Sequence, residues 1–173
     1  MKRGRESLTG GTGDVNPQYL SFQAVQSAAD TNTTITQALP IQRLPTTGRS
    51  QIMEILRVYF ELATNVEVDA NYGCFLTTKS FGTTGISSNE PTCFAYFASQ
   101  IGLTTSGMFN VSKKYEHDCT DGAGHGILVA TDNIFAQVKS AGTSAANTVN
   151  IKILYRMKNV NLAEYIGIVQ SQQ

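Results

Sequence analysis

The chain has 173 residues, enough for one domain with a real core and short for two. Its 13 basic and 13 acidic residues cancel, and charged residues make up only 15 % of it, against roughly 25 % in an average domain. That balance excludes a polycation, and no stretch approaches the roughly 20 apolar residues that span a bilayer, so no membrane partner is expected.

Thr, Ser, Asn, Gln and Gly stand in for Lys and Glu. Uncharged polar surfaces repel further copies of a protein poorly, and they suit a chain meant to associate. Cys74, Cys93 and Cys119 are odd in number, form no CxxC pair and lie in or beside apolar stretches. Such cysteines behave as small hydrophobes, so no disulfide framework is expected, and folding in a reducing, intracellular compartment is. The basic start has no apolar run after it, so a secretory signal is not expected either.

Residues 1–16 read as a short flexible arm, with Lys2, Arg3 and Arg5 at its tip and a Gly-rich stretch behind them. The arm has too little apolar surface to offset the entropy of ordering it. Residues 17–173 read as one all-β domain. Tyr19–Val25 and Thr33–Leu39 are the first β-prone runs, followed by a loop around Pro45-Thr46-Thr47-Gly48.

Gln51–Ala63 is the longest apolar run. Leu56, Val58, Phe60 and Leu62 fit a strand face, whereas Ile52, Leu56, Tyr59 and Ala63 fit a helix face; the strand-like neighbours favour a long strand. Gly73–Thr78, Thr92–Ile101, Met108–Tyr115 and Gly126–Val138 follow as expected strands. In Thr148–Met157 the alternation is cleanest: Val149, Ile151, Ile153, Tyr155 and Met157 share one face, and Lys152, Leu154, Arg156 and Lys158 the other. Tyr165–Val169 is expected to close the chain as a last strand. About eight strands at this spacing make a sandwich, jelly roll or barrel. No internal repeat points to a propeller or solenoid.

Chemistry-bearing motifs are sparse. Gly10-Gly11-Thr12-Gly13-Asp14 lacks the ending of a phosphate-binding loop and sits between no strand and helix. His117, Cys119 and His125 could fill three of the four positions of a zinc site, beside Asp118 and Asp121. The same Asp- and Gly-rich segment reads first as a solvated turn between strands, with zinc or calcium binding the lesser alternative, and a fourth ligand is not evident, so no metal and no cofactor is expected. No nucleophile elbow or triad motif accompanies these residues, and Glu67 and Asp69 read as a solvated loop. An enzyme is therefore not expected.

The basic tip has a use if many copies meet. The charges of one chain bind nucleic acid weakly, but in a shell of about 60 copies they sum to about 200. Lys152, Arg156 and Lys158 are the residues that could add to Lys2, Arg3 and Arg5 in such binding. The tip reads equally as a solubility device or a weak nuclear-import signal.

Three segments carry a resemblance. They are Leu8-Thr9-Gly10-Gly11-Thr12-Gly13-Asp14-Val15-Asn16-Pro17-Gln18 after the basic start, Ala38-Leu39-Pro40-Ile41-Gln42-Arg43-Leu44, and Gln51-Ile52-Met53-Glu54-Ile55-Leu56. In this order they resemble capsid proteins of small circular Rep-encoding single-stranded DNA (CRESS-DNA) viruses, and the size is similar to satellite-virus coats. The basic start is shorter than in related coats. The resemblance implies a single eight-stranded antiparallel jelly roll that self-assembles into a small icosahedral T=1 shell around viral single-stranded DNA. It implies residence in the virion and assembly inside the host cell, the nucleus included. Phe81–Pro91 and Cys119–His125 are then the loops expected to face a host receptor. The competing expectation is a jelly-roll carbohydrate- or receptor-binding module forming small oligomers, with Tyr72 or Tyr96 as its aromatic platform.

Overall fold

The computed structural model describes residues 16–41, 43–44, 49–63, 69–101 and 114–172. Its strands are β1 (Gln18–Val25), β2 (Asn32–Ala38), β3 (Arg43–Leu44), β4 (Arg49–Leu62), β5 (Ala70–Thr77), β6 (Cys93–Ile101), β7 (Lys114–Asp118), β8 (Ile127–Val129), β9 (Asn133–Ala141) and β10 (Thr148–Asn161), and one helix, α1 (Leu162–Ser171), follows.

Eight of these strands have five residues or more, and they pair as one long hairpin would. β1 lies antiparallel to β10, β2 to β9, β4 to β7 and β5 to β6. Rolling that hairpin up brings β10 beside β4 and β9 beside β5. The result is two antiparallel sheets, β1-β10-β4-β7 and β2-β9-β5-β6, which is a jelly roll. The two-residue β3 and three-residue β8 are additions, and both pair with β4. The expected eight-stranded jelly-roll sandwich is therefore present.

Period-two patterning builds the core. Val149, Ile151, Ile153, Tyr155 and Met157 of β10 are buried between the sheets, as their spacing predicts, and Ile134, Ala136 and Val138 of β9 meet them from the other sheet. Phe60 and Phe97 pack at 5.4 Å between ring centres, and Phe97 stacks on Tyr115 at 4.5 Å. No helix of the described residues is long and apolar enough to cross a membrane.

Two expectations need correction, and a third lies mostly outside the described residues. Gly126–Val138 is not one strand: β8 belongs to the first sheet and β9 to the second, so the chain must break between them to cross over. Tyr165–Val169 is helix. Among the described residues the pairing of β10 ends where Asn161 pairs Arg49, and the Asn161 side chain accepts the Glu164 N–H at 2.9 Å, capping α1. Tyr165, Ile168 and Val169 share a helix face and pack on Ile52, Ala130 and Val160. The strand expected over Met108–Tyr115 falls mostly outside the described residues; β7 starts at Lys114 and runs on to Asp118.

Candidate functional site

The organising irregularity is a β-bulge in β4. Leu154 of β10 pairs with Arg57 and Tyr155 with Ile55, which leaves Leu56 as the extra residue. The bulge flips the side-chain alternation, so Met53 and Ile55 point into the core before it, and Val58, Phe60 and Leu62 after it. On the outer side of the same sheet, β7 pairs β4 beyond the bulge and β8 pairs it before the bulge. The loop between β7 and β8 leaves the sheet at that point, and its Cys119 N–H donates to the Leu56 carbonyl at 3.0 Å.

The residues considered for metal binding lie on β7 (His117) and in that loop (Cys119 and His125), and the arrangement does not bring them together. The His117 ring packs against Tyr96 at 5.6 Å. The Cys119 thiol is buried 3.9 Å from the Phe94 carbonyl. His125 is exposed and turns back to Asp121, Nδ1 to Oδ2, at 3.1 Å. Asp121 also accepts the backbone N–H groups of Ala123 and His125, so it serves as a turn-forming side chain. Among the described residues no three His, Cys, Asp or Glu side chains gather as a metal site. Burial pushes the Cys119 thiol up to about 12 and the Cys93 thiol to about 11, and raises Cys74 further still, so none of the three is an activated nucleophile.

The base of the loop is clamped by charge. Glu54 is 1 % exposed and receives both Nε (2.6 Å) and Nη2 (3.1 Å) of Arg156, and it also accepts the Gly126 N–H at 2.8 Å. Arg156 reaches on to the Gly124 carbonyl at 3.3 Å. Burial alone would raise the pKa of Glu54, but the hydrogen bonds from Arg156 and Gly126, with the nearby charges of Arg156 and Lys158, outweigh it and hold the carboxyl below its usual value. Sequence reasoning missed this clamp. Its signal was a lone acid inside the apolar run Ile52-Met53-Glu54-Ile55-Leu56.

The basic residues considered for nucleic-acid binding are therefore unlike one another. Lys2, Arg3 and Arg5 lie outside the described residues. Arg156 is committed to Glu54. Lys152 stands on the outer face of the first sheet with its ammonium 4.2 Å from the centre of the Tyr19 ring. Around it, that face alternates in sign: Arg57 pairs with Glu116 at 2.9 Å and Asp118 at 3.4 Å, and Lys114 with Glu61 at 3.7 Å. An open basin of ≈ 690 Å³ lies there, bordered by Ser21, Tyr59, Glu61, Lys114, Glu116 and Lys152. Its charge is balanced.

The second sheet is covered differently. The loop between β5 and β6 folds over its outer face, and Gln137 ties it down. This side chain, 1 % exposed, accepts the Ile86 N–H at 3.0 Å and donates to the Thr84 carbonyl at 2.8 Å. Phe81–Pro91, expected as a free outer loop, is thus anchored at its middle, and Ile86 is buried. Beside it lies a shallow depression of ≈ 540 Å³ bordered by Asn32, Asn71, Ser99, Lys139 and Ser140.

No protein-family model and no curated protein matches this chain. Solved structures do. VP1 of New Jersey polyomavirus, in its apo form, is similar with a TM-score of 0.52 at 9 % identity, over 84 % of this chain and 99 % of that one. VP1 of Merkel cell polyomavirus, as an unassembled pentamer, has a TM-score of 0.54 at 11 % identity, over 87 % of this chain and 98 % of that one. The chain has the jelly-roll fold of these viral capsid proteins. The same Merkel cell polyomavirus protein in complex with disialyllactose gives a TM-score of 0.54 at 11 % identity, over 87 % and 98 % of the two chains. At such identities the likeness is one of fold, with the rolled hairpin common to both.

Proposed function

We propose that this chain is the structural coat subunit of a small virus, and that it works by assembling with copies of itself into a closed icosahedral shell. The observation that carries this reading is the complete rolled-hairpin topology, the architecture also found in the VP1 capsid proteins. The sequence supports it independently, through a surface low in charge and rich in uncharged polar residues. In this reading the subunit is not an enzyme; its work is done by interfaces repeated about 60 times in a T=1 shell.

The enclosed cargo is single-stranded DNA, as the resemblance to CRESS-DNA virus coats implies, and the protein resides in the virion after assembly inside the host cell, the nucleus included. Contact with the genome falls to Lys2, Arg3 and Arg5. The balanced ion pairs around Lys152 and the commitment of Arg156 to Glu54 favour the tip over the strand residues. The test is to purify particles, digest external nucleic acid with nuclease and identify what is protected. Protected single-stranded DNA that falls with Lys2→Ala, Arg3→Ala and Arg5→Ala together, in shells of unchanged size, supports the assignment. Packaging unaffected by the triple variant contradicts the role of the tip.

A second reading is favoured by the depression beside β6, where the polar side chains of Asn32, Asn71 and Lys139 border one open hollow. A carbohydrate- or receptor-binding module of small oligomers would use such a hollow, but Tyr72, expected as its aromatic platform, is buried in the core between the sheets, and of the two tyrosines only Tyr96 is exposed. Glycan binding by a stable monomer or trimer that forms no particles would put this reading first.

A further inference from the structure

Helix α1 has more apolar surface than its own sheet covers. At about 100° per residue, Ile168, Tyr165, Val169, Leu162 and Ile166 follow one another around the helix in a single arc of roughly 160°. One side of that arc, Tyr165, Ile168 and Val169, rests on Ile52, Ala130 and Val160. The other side does not: Leu162 is 57 % and Ile166 47 % exposed, one turn apart.

The helix is held firmly enough to present that flank in one orientation. Asn161 caps its start, and the Tyr165 hydroxyl donates to the Ala130 carbonyl at 3.3 Å. At its end the Gln172 amide donates to the Leu128 carbonyl and accepts the Ala130 N–H, as a neighbouring strand would.

The geometry points to the exposed Leu162–Ile166 flank of α1 as a contact between two copies of this chain, in which the flank of one copy packs against the same flank of another. Two arguments select a second copy. A two-fold contact sets a patch against itself, so an unbalanced charge at its centre would meet its own like and an uncharged patch is favoured. Glu164, the helix's one charged residue, lies about 180° around the helix from the middle of this flank. The patch is also small. Two side chains offer far less than the roughly 800 Å² per partner of a stable pairwise complex. A contact of that size holds only when symmetry repeats it, and a closed shell of identical copies is the arrangement that does so. The inference therefore rests on the coat-subunit reading.

Paired charge variants test it. Leu162→Glu with Ile166→Glu, and Leu162→Lys with Ile166→Lys, are made as two proteins, and thermal melting confirms that each is folded. Each alone is expected to form particles at least about tenfold less well than the parent chain. An equimolar mixture of the two is expected to recover assembly, which a merely structural role for these residues would not produce. Particles formed equally well by either variant alone, or a mixture no better than its parts, would overturn the inference and leave the coat reading standing. Failure of the parent chain itself to form particles would instead overturn the coat reading.

Discussion

Glu54 and Arg156 face each other from the two central strands of the first sheet, one step from the bulge at Leu56, and share two hydrogen bonds of 2.6 and 3.1 Å. The carboxylate is buried and its second task is to hold the Gly126 N–H, so the pair fixes where the chain re-enters the sheet after the 119–126 loop. A charge left alone there has no water to turn to. Arg156→Met is expected to cost about 3–5 kcal/mol in urea unfolding, because it strands Glu54. Glu54→Gln with Arg156→Met is expected to recover most of that loss, since the neutral amide leaves no buried charge and still offers an oxygen to the Gly126 N–H. A double variant no better than the single would show that the pair's geometry, not the stranded charge, sets the cost.

The same pair sets an acid limit. The folded-state pKa of Glu54 lies below its ordinary value of 4.5, so the unfolded chain takes up the proton more readily. Its contribution to stability is present above that value and is lost as pH falls through the depressed folded one. Asp118 and Asp121 are also lowered, chiefly by hydrogen bonds from Thr120 and His125, but they are exposed and add little. Urea midpoints should fall as pH drops below about 4.5, and Arg156→Met should shrink that fall. An equal acid drop in both proteins would remove Glu54 as its source.

Much of this architecture was legible in the sequence, and the exceptions share a cause. Val149 to Met157 announced a core strand because nothing interrupts their alternation. Gln51–Ala63 read as strand and helix at once because the Leu56 bulge reverses its alternation midway, which no fixed period describes. The clamp escaped notice because its halves stand far apart in the chain and meet only once the hairpin is rolled. Tyr165–Val169 looked like a strand because five residues of mixed apolar character fit either period. What decided for helix was the Asn161 cap and the helix face by which Tyr165, Ile168 and Val169 pack on Ile52, Ala130 and Val160. His117, Cys119 and His125 were close in sequence, but a strand and an excursion at the bulge send them to three different surroundings.

Gly126 is expected to tolerate no side chain. A Cβ there would come within 2.1 Å of the Ile55 carbonyl oxygen, a backbone atom in the middle of β4. Gly126→Ala should lower the melting temperature sharply, with a loss of about 3 kcal/mol or more, or prevent recovery of folded protein. Gly122→Ala makes the comparison. Its φ of +80° carries strain but no atom lies within 4 Å, so a loss of only about 1 kcal/mol is expected. Equal effects at the two positions would contradict the close approach at Gly126.

Gln137 holds the covering loop of the second sheet, and its loss should be local. Gln137→Leu leaves the Ile86 N–H and the Thr84 carbonyl without their partner, at a cost of about 1–3 kcal/mol. Hydrogen exchange should quicken at Ile86 and its neighbours more than at β9. Unchanged protection at Ile86 would mean the loop is held by something other than this side chain.

Self-assembly is the claim on which the rest depends, and particle size tests it most directly. The purified chain, sized by light scattering and imaged by negative-stain microscopy, is expected to give uniform hollow spheres of roughly 15 to 25 nm, the size of a shell of about 60 such subunits. A monodisperse monomer or small oligomer across salt and pH would contradict the account.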